Sequence, residues 1–176
     1  MSASPLGPDF PPARNDLPYR PCVGIMLLNA QGKVWIGKRD DGNGKSEYEY
    51  AWQMPQGGID KGETPRAAAL RELYEETSVR SVRVLAEAPV WFTYDYPEDV
   101  QQNTRKGKFG GQAQRWFALR FEGSEDEIDV LNLPDGHDVE FCDWRWEEAA
   151  RLPDLIVPFK RQVYQGVVDA FSGLTA

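Results

Sequence analysis

Apolar and polar positions change period several times along the chain. In PCVGIMLLNAQGKVWIGKRD (21–40) two apolar, β-prone runs flank NAQGK, which predicts a hairpin with Asn, Gly and Lys in the turn. A polar loop, DGNGKSEYEY (41–50), leads into AWQMPQGG (51–58), a short strand ending in glycines. Thr64-Pro65 then opens a helix: Thr caps exposed N–H groups, and Pro suits the first helical position. RAAALRELYEET continues it with good helix formers, and Ala68, Leu70 and Leu73 offer apolar positions for docking. Strands are expected over 82–97, 113–123 and 139–148. A polar, mobile stretch, EDVQQNTRKGKFGG, separates the first two, and an acidic connection, DEIDVLNLPDGHD, precedes the third. Apolar residues at 159, 163, 167 and 171 have helical period, so an amphipathic helix from Pro158 closes the chain. No internal repeat is present. Mixed strands with two main helices make the fold class α+β, with a three-layer α/β/α sandwich as the arrangement in view. Residues 1–18, rich in Pro and small residues, read as a flexible N-terminal arm, which leaves 19–176 as the domain.

The 176 residues suit one domain, and 41% apolar residues suffice for a core. With 28 acidic against 20 basic residues the net charge is −8. This argues against a DNA-coating role, because phosphate affinity rests on clustered Lys and Arg. It leaves open one nucleic-acid end held in a local basic pocket. The two cysteines, Cys22 and Cys142, have no zinc-site or disulfide spacing and read as reduced, buried thiols. His137 is the single histidine and, in a turn-like context, reads as a surface or structural residue. No stretch reaches the ~18 apolar residues of a membrane span, and the N-terminus lacks a signal pattern. A cytoplasmic protein without membrane contact is expected.

One stretch conflicts with stability. RELYEETSV (71–79) places Glu72 beside both Glu75 and Glu76 on a helix, where like charges repel by about 0.2–0.5 kcal/mol per exposed pair. The cluster sits late in its helix, where the macrodipole disfavours anions. It follows QGGIDKGE, a glycine-rich loop that can bring carbonyls close to a ligand. Carboxylates with carbonyl oxygens and waters suit hard cations such as Mg²⁺ or Mn²⁺, and magnesium is commonly shared with substrate phosphates. A solvated acidic face is the alternative. Arg71 is placed to pair with Glu63 and hold the loop against the helix.

The spacing goes further. GGIDKGETPRAAALRELYEETSV contains Gly57, five residues, Glu63, seven residues, then Arg71-Glu72-Leu73-x-Glu75-Glu76-x-Ser78-Val79. It resembles the Nudix box at eight of nine specified positions. The departure is Ser78, where the family has a Gly that ends the helix in a left-handed turn. YRPCVGIMLLN, WQMPQGGIDKGE, GQAQRWFALRF, VEFCDWRW and VPFKRQVY extend the resemblance over most of residues 19–171. They resemble the bacterial branch of RNA pyrophosphohydrolases and dinucleoside polyphosphate hydrolases.

The resemblance implies the Nudix α/β/α sandwich with a mixed central sheet, and hydrolysis of a nucleoside diphosphate linked to another group. It implies that Glu72, Glu75 and Glu76 ligate divalent ions, with the Gly57 carbonyl assisting and Glu140 reaching in from another loop. For Glu140 an ordinary strand-edge charge is the alternative. Phosphoanhydride oxygens repel an incoming water; divalent ions neutralise them and lower the pKa of a bound water, whose proton a glutamate can take. Glu72 is favoured as that base, with Glu76 and Glu140 left open. Arg20, Arg39 and Lys160 match positions that contact substrate phosphates or the RNA backbone in this branch, and surface charge is the alternative for each. Phe159 can stack on a base or join the core, and Tyr94 and Gln112 are weaker candidates for lining the pocket. RKGK (105–108) reads as a solvated basic loop.

Three functions follow as expectations. The first is removal of pyrophosphate from 5′-triphosphorylated RNA, which starts its decay. The second is asymmetric cleavage of diadenosine tetraphosphate to ATP and AMP. The third is a non-catalytic nucleotide-binding regulator, disfavoured because the box carboxylates are all present.

Overall fold

The computed structural model describes residues 4–14, 16–39, 50–98 and 107–176. The loop expected at 41–50 and most of the polar stretch before residue 107 lie outside the described residues.

The hairpin forms as expected, from β1 (Tyr19–Leu28) and β2 (Val34–Arg39). Its turn is held by the Asn29 side chain, which accepts the N–H groups of Gln31 and Lys33, while Gly32 takes a φ of 74°. β1 is buried on both faces. Val23, Ile25 and Leu27 enter one apolar cluster, and Met26 and Leu28 enter the other. A near-continuous apolar run is what such a central strand needs. β1 runs parallel to β7 (Gly111–Phe121), from Tyr19 opposite Gly111 to Leu28 opposite Arg120. The other pairings are antiparallel: the order is β3 (Trp52–Gln53), β2, β1, β7, β5 (Val82–Glu87), with β4 (Gln56–Gly58) on β1, β6 (Phe92–Asp95) on β7 and β8 (Phe141–Glu147) on β2.

Two expected strands are each divided. Residues 51–58 give β3 (Trp52–Gln53) on β2 and β4 (Gln56–Gly58) on β1. Residues 82–97 give β5 (Val82–Glu87) and β6 (Phe92–Asp95), both on β7. Pro55 and Pro89 stand at the breaks, and proline has no N–H for the ladder.

Helix α1 (Pro65–Thr77) begins at a Thr64 cap whose hydroxyl accepts the Ala67 N–H at 3.2 Å. It buries Ala68, Ala69 and Leu73 on one face of the sheet. Leu70, expected to dock, is 37% exposed; it flanks the stripe that Ala69 and Leu73 define at a spacing of four. Helix α2 (Arg161–Ala170) lies on the other face and buries Val163 and Val167, with Phe171 just beyond its end. A separate 3₁₀ turn, Pro158–Lys160, precedes it. Phe159 thereby leaves the helical stripe and stays 36% exposed. Helix, mixed sheet and helix give the three layers.

Cys22 is buried, but Cys142, expected to be buried, is exposed, because it sits on β8, whose described partner is β2 alone. The stretch expected as a flexible arm touches the domain, with Asp9 on Arg115 at 3.0 Å, Phe10 edge-on to Trp91, Arg14 on Asp95 at 2.9 Å and the Pro18 carbonyl accepting the Gly110 N–H at 3.1 Å. Among the described residues no helix is long and apolar enough to cross a membrane.

Candidate active site

Arg71 organises the acidic face of α1. Its Nε and Nη2 donate to Glu63 at 2.8 Å each, its Nη1 donates to Glu72 at 2.9 Å and Glu75 at 3.2 Å, and Nη2 also reaches the Gly58 carbonyl at 2.8 Å. One half-buried guanidinium thus ties the glycine-rich loop to α1 and offsets the repulsion among the glutamates. The hydrogen bond from Arg71 holds the Glu63 carboxyl below its usual range. Burial raises that of Glu72, with Arg71 opposing.

Glu76 is the extreme case. It is 8% exposed, accepts the Gln56 N–H at 3.3 Å, and is pushed well above the usual carboxylate range by burial, with Glu72 and Glu140 adding repulsion. Glu140 comes from the loop before β8 and pairs with Arg39 at 2.8 Å. Glu72, Glu75, Glu76 and Glu140, together with His137 and Asp138, line a polar cavity of about 190 Å³.

Cationic and aromatic groups stand beside it. Sheet register sets Tyr94 opposite Gln112, and Gln112 opposite Arg20, on adjacent strands. The Arg20 guanidinium lies over Gly58, where a Cβ would come within 2.5 Å of it. Gln112 is buried and accepts from Gln114, which also donates to Gln56. The Lys160 ammonium lies 5.4 Å from the Tyr94 ring centre and 5.8 Å from that of Phe159. Burial pushes its pKa down to about 8, with Arg39 adding to the effect.

A family model described as NUDIX domain matches residues 18–167. The chain belongs to the Nudix family. Its relatives include proteins named RNA pyrophosphohydrolase. That of Rhodopseudomonas palustris (strain BisB18) is 56% identical over 160 residues, covering 91% of each chain. That of Rhizobium meliloti (strain 1021) is 57% identical over 162 residues, covering 90% of this chain and 96% of its own. The fold is also that of the E. coli dihydroneopterin triphosphate pyrophosphohydrolase, with a TM-score of 0.62 at 18% identity over 86% of this chain and 98% of the other.

Within this Nudix fold the expected site residues occupy two neighbouring zones. Glu72, Glu75, Glu76 and Glu140 share the acidic cavity, and Gly57 backs it. Arg20, Arg39, Tyr94, Phe159 and Lys160 surround the adjoining surface, while Gln112 is buried within the sheet. His137, read as a surface or structural residue, is exposed and also lines the acidic cavity, with Nε2 3.7 Å from Glu75. Its position three residues before Glu140 was the available signal, but only the folded loop returns both to α1. Asp138 and the Gln56–Gln114 amide pair were not anticipated.

The donor set fits a hard divalent cation. Five carboxylates, those of Glu72, Glu75, Glu76, Asp138 and Glu140, meet in a polar cavity, and Glu72 lies so close against Gly57 that a Cβ there would be 2.0 Å from its carboxyl carbon. Among the described residues no three Asp, Glu, His or Cys side chains form a ready-made cage. The reason is visible: Glu72 and Glu75 are turned toward Arg71.

Proposed function

We propose that this Nudix protein hydrolyses the 5′-triphosphate of RNA, releasing pyrophosphate and leaving a 5′-monophosphate. The observation that carries the reading is the apposition of two zones: a cavity lined by five carboxylates beside Arg20, Arg39 and Lys160. The first suits divalent cations and the second a chain of phosphates. The names of the relatives support RNA as the substrate. Such RNA is met in the cytoplasm.

Glu72, Glu75, Glu76 and Glu140, with the Gly57 carbonyl, would hold Mg²⁺ or Mn²⁺. Bound there, divalent ions neutralise phosphate oxygens and acidify water. Arg20 and Arg39 offer forked donors to the phosphates, and Lys160 a point charge. Phe159 offers a face to a base. Water attacks phosphorus directly: its oxygen forms the new P–O bond, the anhydride P–O bond breaks toward pyrophosphate, and one proton must leave. A glutamate of the cluster would take that proton, with Glu72 favoured and Glu76 and Glu140 as the alternatives. Arg71 and Glu63 hold the loop and helix in register while this happens.

The test offers equal amounts of 5′-triphosphate RNA and diadenosine tetraphosphate to the protein in one pot with Mg²⁺, with the Glu75→Gln protein as control. Faster appearance of 5′-monophosphate RNA is expected. The control should keep its fold and lose most turnover, on the order of 10²-fold or more. Faster production of ATP and AMP would instead make this a dinucleotide-clearing enzyme. No conversion of either across several divalent ions would sink the hydrolase reading.

A further inference from the structure

His137 is the single histidine of the chain, and the fold brings it to the acidic cavity from outside the Nudix box. The connection between β7 and β8 that carries it is fastened at both ends. At its start the Asp129 N–H donates to the Thr77 carbonyl at 3.0 Å, and the Ser78 hydroxyl donates to the Asp129 carbonyl at 2.8 Å, which ties it to the end of α1. The Asp129 carboxylate also accepts the Leu131 and Asn132 N–H groups, at 3.0 and 2.9 Å. At its far end Glu140 pairs with Arg39 at 2.8 Å. Between these anchors Asp135 and Gly136 take φ values of 55° and 71°, and the His137 N–H closes the turn on the Pro134 carbonyl at 3.2 Å. Two successive left-handed residues, of types that tolerate this conformation, turn the chain back, and His137 and Asp138 come to line the cavity.

The imidazole stands where a cation ligand is useful. Its Nε2 lies 3.7 Å from Glu75 Oε1, too far for a hydrogen bond. Oε1 is the oxygen that Arg71 does not take, since the Arg71 Nη1 donates to Oε2 at 3.2 Å. Donors held about 2.0–2.2 Å from one cation lie within about 4.4 Å of each other, so Nε2 and Oε1 are close enough to share one. The carboxylates of the cavity are hard oxygen donors, which suit Mg²⁺. An imidazole nitrogen is a softer donor and favours first-row transition cations.

We propose that His137 is a ligand to the cation held by this cavity, and that it sets the cavity's preference for first-row transition cations over Mg²⁺. The inference rests on the metal reading of the cavity given above.

Affinities of untagged protein for Co²⁺ and for Mg²⁺ are measured by isothermal titration calorimetry, without substrate, in wild type, His137→Gln and His137→Ala. Oxygen sites already rank transition cations, so the readout is the change in the ratio of the two affinities. Both variants should lower that ratio about tenfold or more through weaker Co²⁺ binding, with Mg²⁺ affinity kept within about twofold. The single histidine makes a second readout unambiguous. Proton NMR of Co²⁺-loaded wild type should show hyperfine-shifted imidazole resonances that both variants lack. Equal losses for the two cations mark a structural role. An unchanged ratio in both variants, or a Co²⁺-loaded wild type without those resonances, would overturn the proposal, and the cavity would keep its metal reading as long as wild type binds Mg²⁺. Wild type that binds neither cation would sink both.

Discussion

Ser78 ends α1 in the left-handed region, with φ 68° and ψ 4°, where the Nudix box has glycine. That conformation costs a non-glycine residue about 1 kcal/mol. The Ser78 hydroxyl offsets the cost by donating to the Asp129 carbonyl at 2.8 Å. Ser78→Ala keeps the strain and loses the bond, so it should be about 1 kcal/mol less stable than wild type by urea denaturation. Ser78→Gly loses both and should lie closer to wild type; equal losses in the two variants would refute this account. Lys160 gives a second residue-scale outcome. Its pKa lies near 8, lowered by burial and by Arg39, with Cys22 opposing. A bound polyphosphate favours the protonated form, so affinity is full below pH 8 and declines above it. The KM for a triphosphate substrate should rise as pH is taken from about 7.5 to about 9. Lys160→Arg should flatten that rise, because its charge persists.

At the scale of elements, β4 and α1 meet at Gly57 and Glu72. Neither Gly57 nor Gly58 has a positive φ, so alanine is allowed by the backbone at both. Space decides the difference. A Cβ on Gly57 lands 2.0 Å from the Glu72 carboxyl carbon, while one on Gly58 meets the flexible end of Arg20 at 2.5 Å. Gly57→Ala should therefore cut turnover about 10²-fold through a displaced Glu72. Gly58→Ala should act mainly on KM. Steady-state kinetics of the two variants check this, and matching profiles would mean that the close approach at Gly57 has no catalytic consequence. The elements themselves were unevenly legible. Residues 21–39 and 64–77 carry their own turn, cap and apolar signals within about a dozen residues, so hairpin and helix were read correctly. The stretches at 51–58 and 82–97 were read as single strands although Pro55 and Pro89 lie inside them. The break at each proline became visible only once neighbouring strands were assigned.

For the whole molecule, the buried carboxylates couple folding to pH and to cations. A carboxyl whose folded pKa is raised gives stability that is fully present below its unfolded pKa and is lost as pH rises through the folded value. Glu76 and Glu72 are raised by burial, whereas Glu63 and Glu127 are lowered and act only in acid. Above the ordinary carboxylate pKa of about 4.3 the cation-free protein should thus lose stability as pH rises. Thermal unfolding in EDTA should show a falling Tm over this range, a flatter profile for Glu76→Gln, and a rise on adding Mg²⁺ that is larger at the higher pH. Identical slopes in wild type and variant would remove Glu76 from the account.

The sequence alone determined the family, the two main helices and the carboxylates of α1. Each of these depends on spacing within one short segment, and helical or strand period converts spacing directly into a shared face. The tertiary structure alone decided what crosses between segments. It brought His137 against Glu75 and Glu140 against Arg39. It also exposed Cys142 on β8 and freed Phe159 from the stripe of α2. Loop return and sheet order govern these contacts, and neither is written in any local period of the chain.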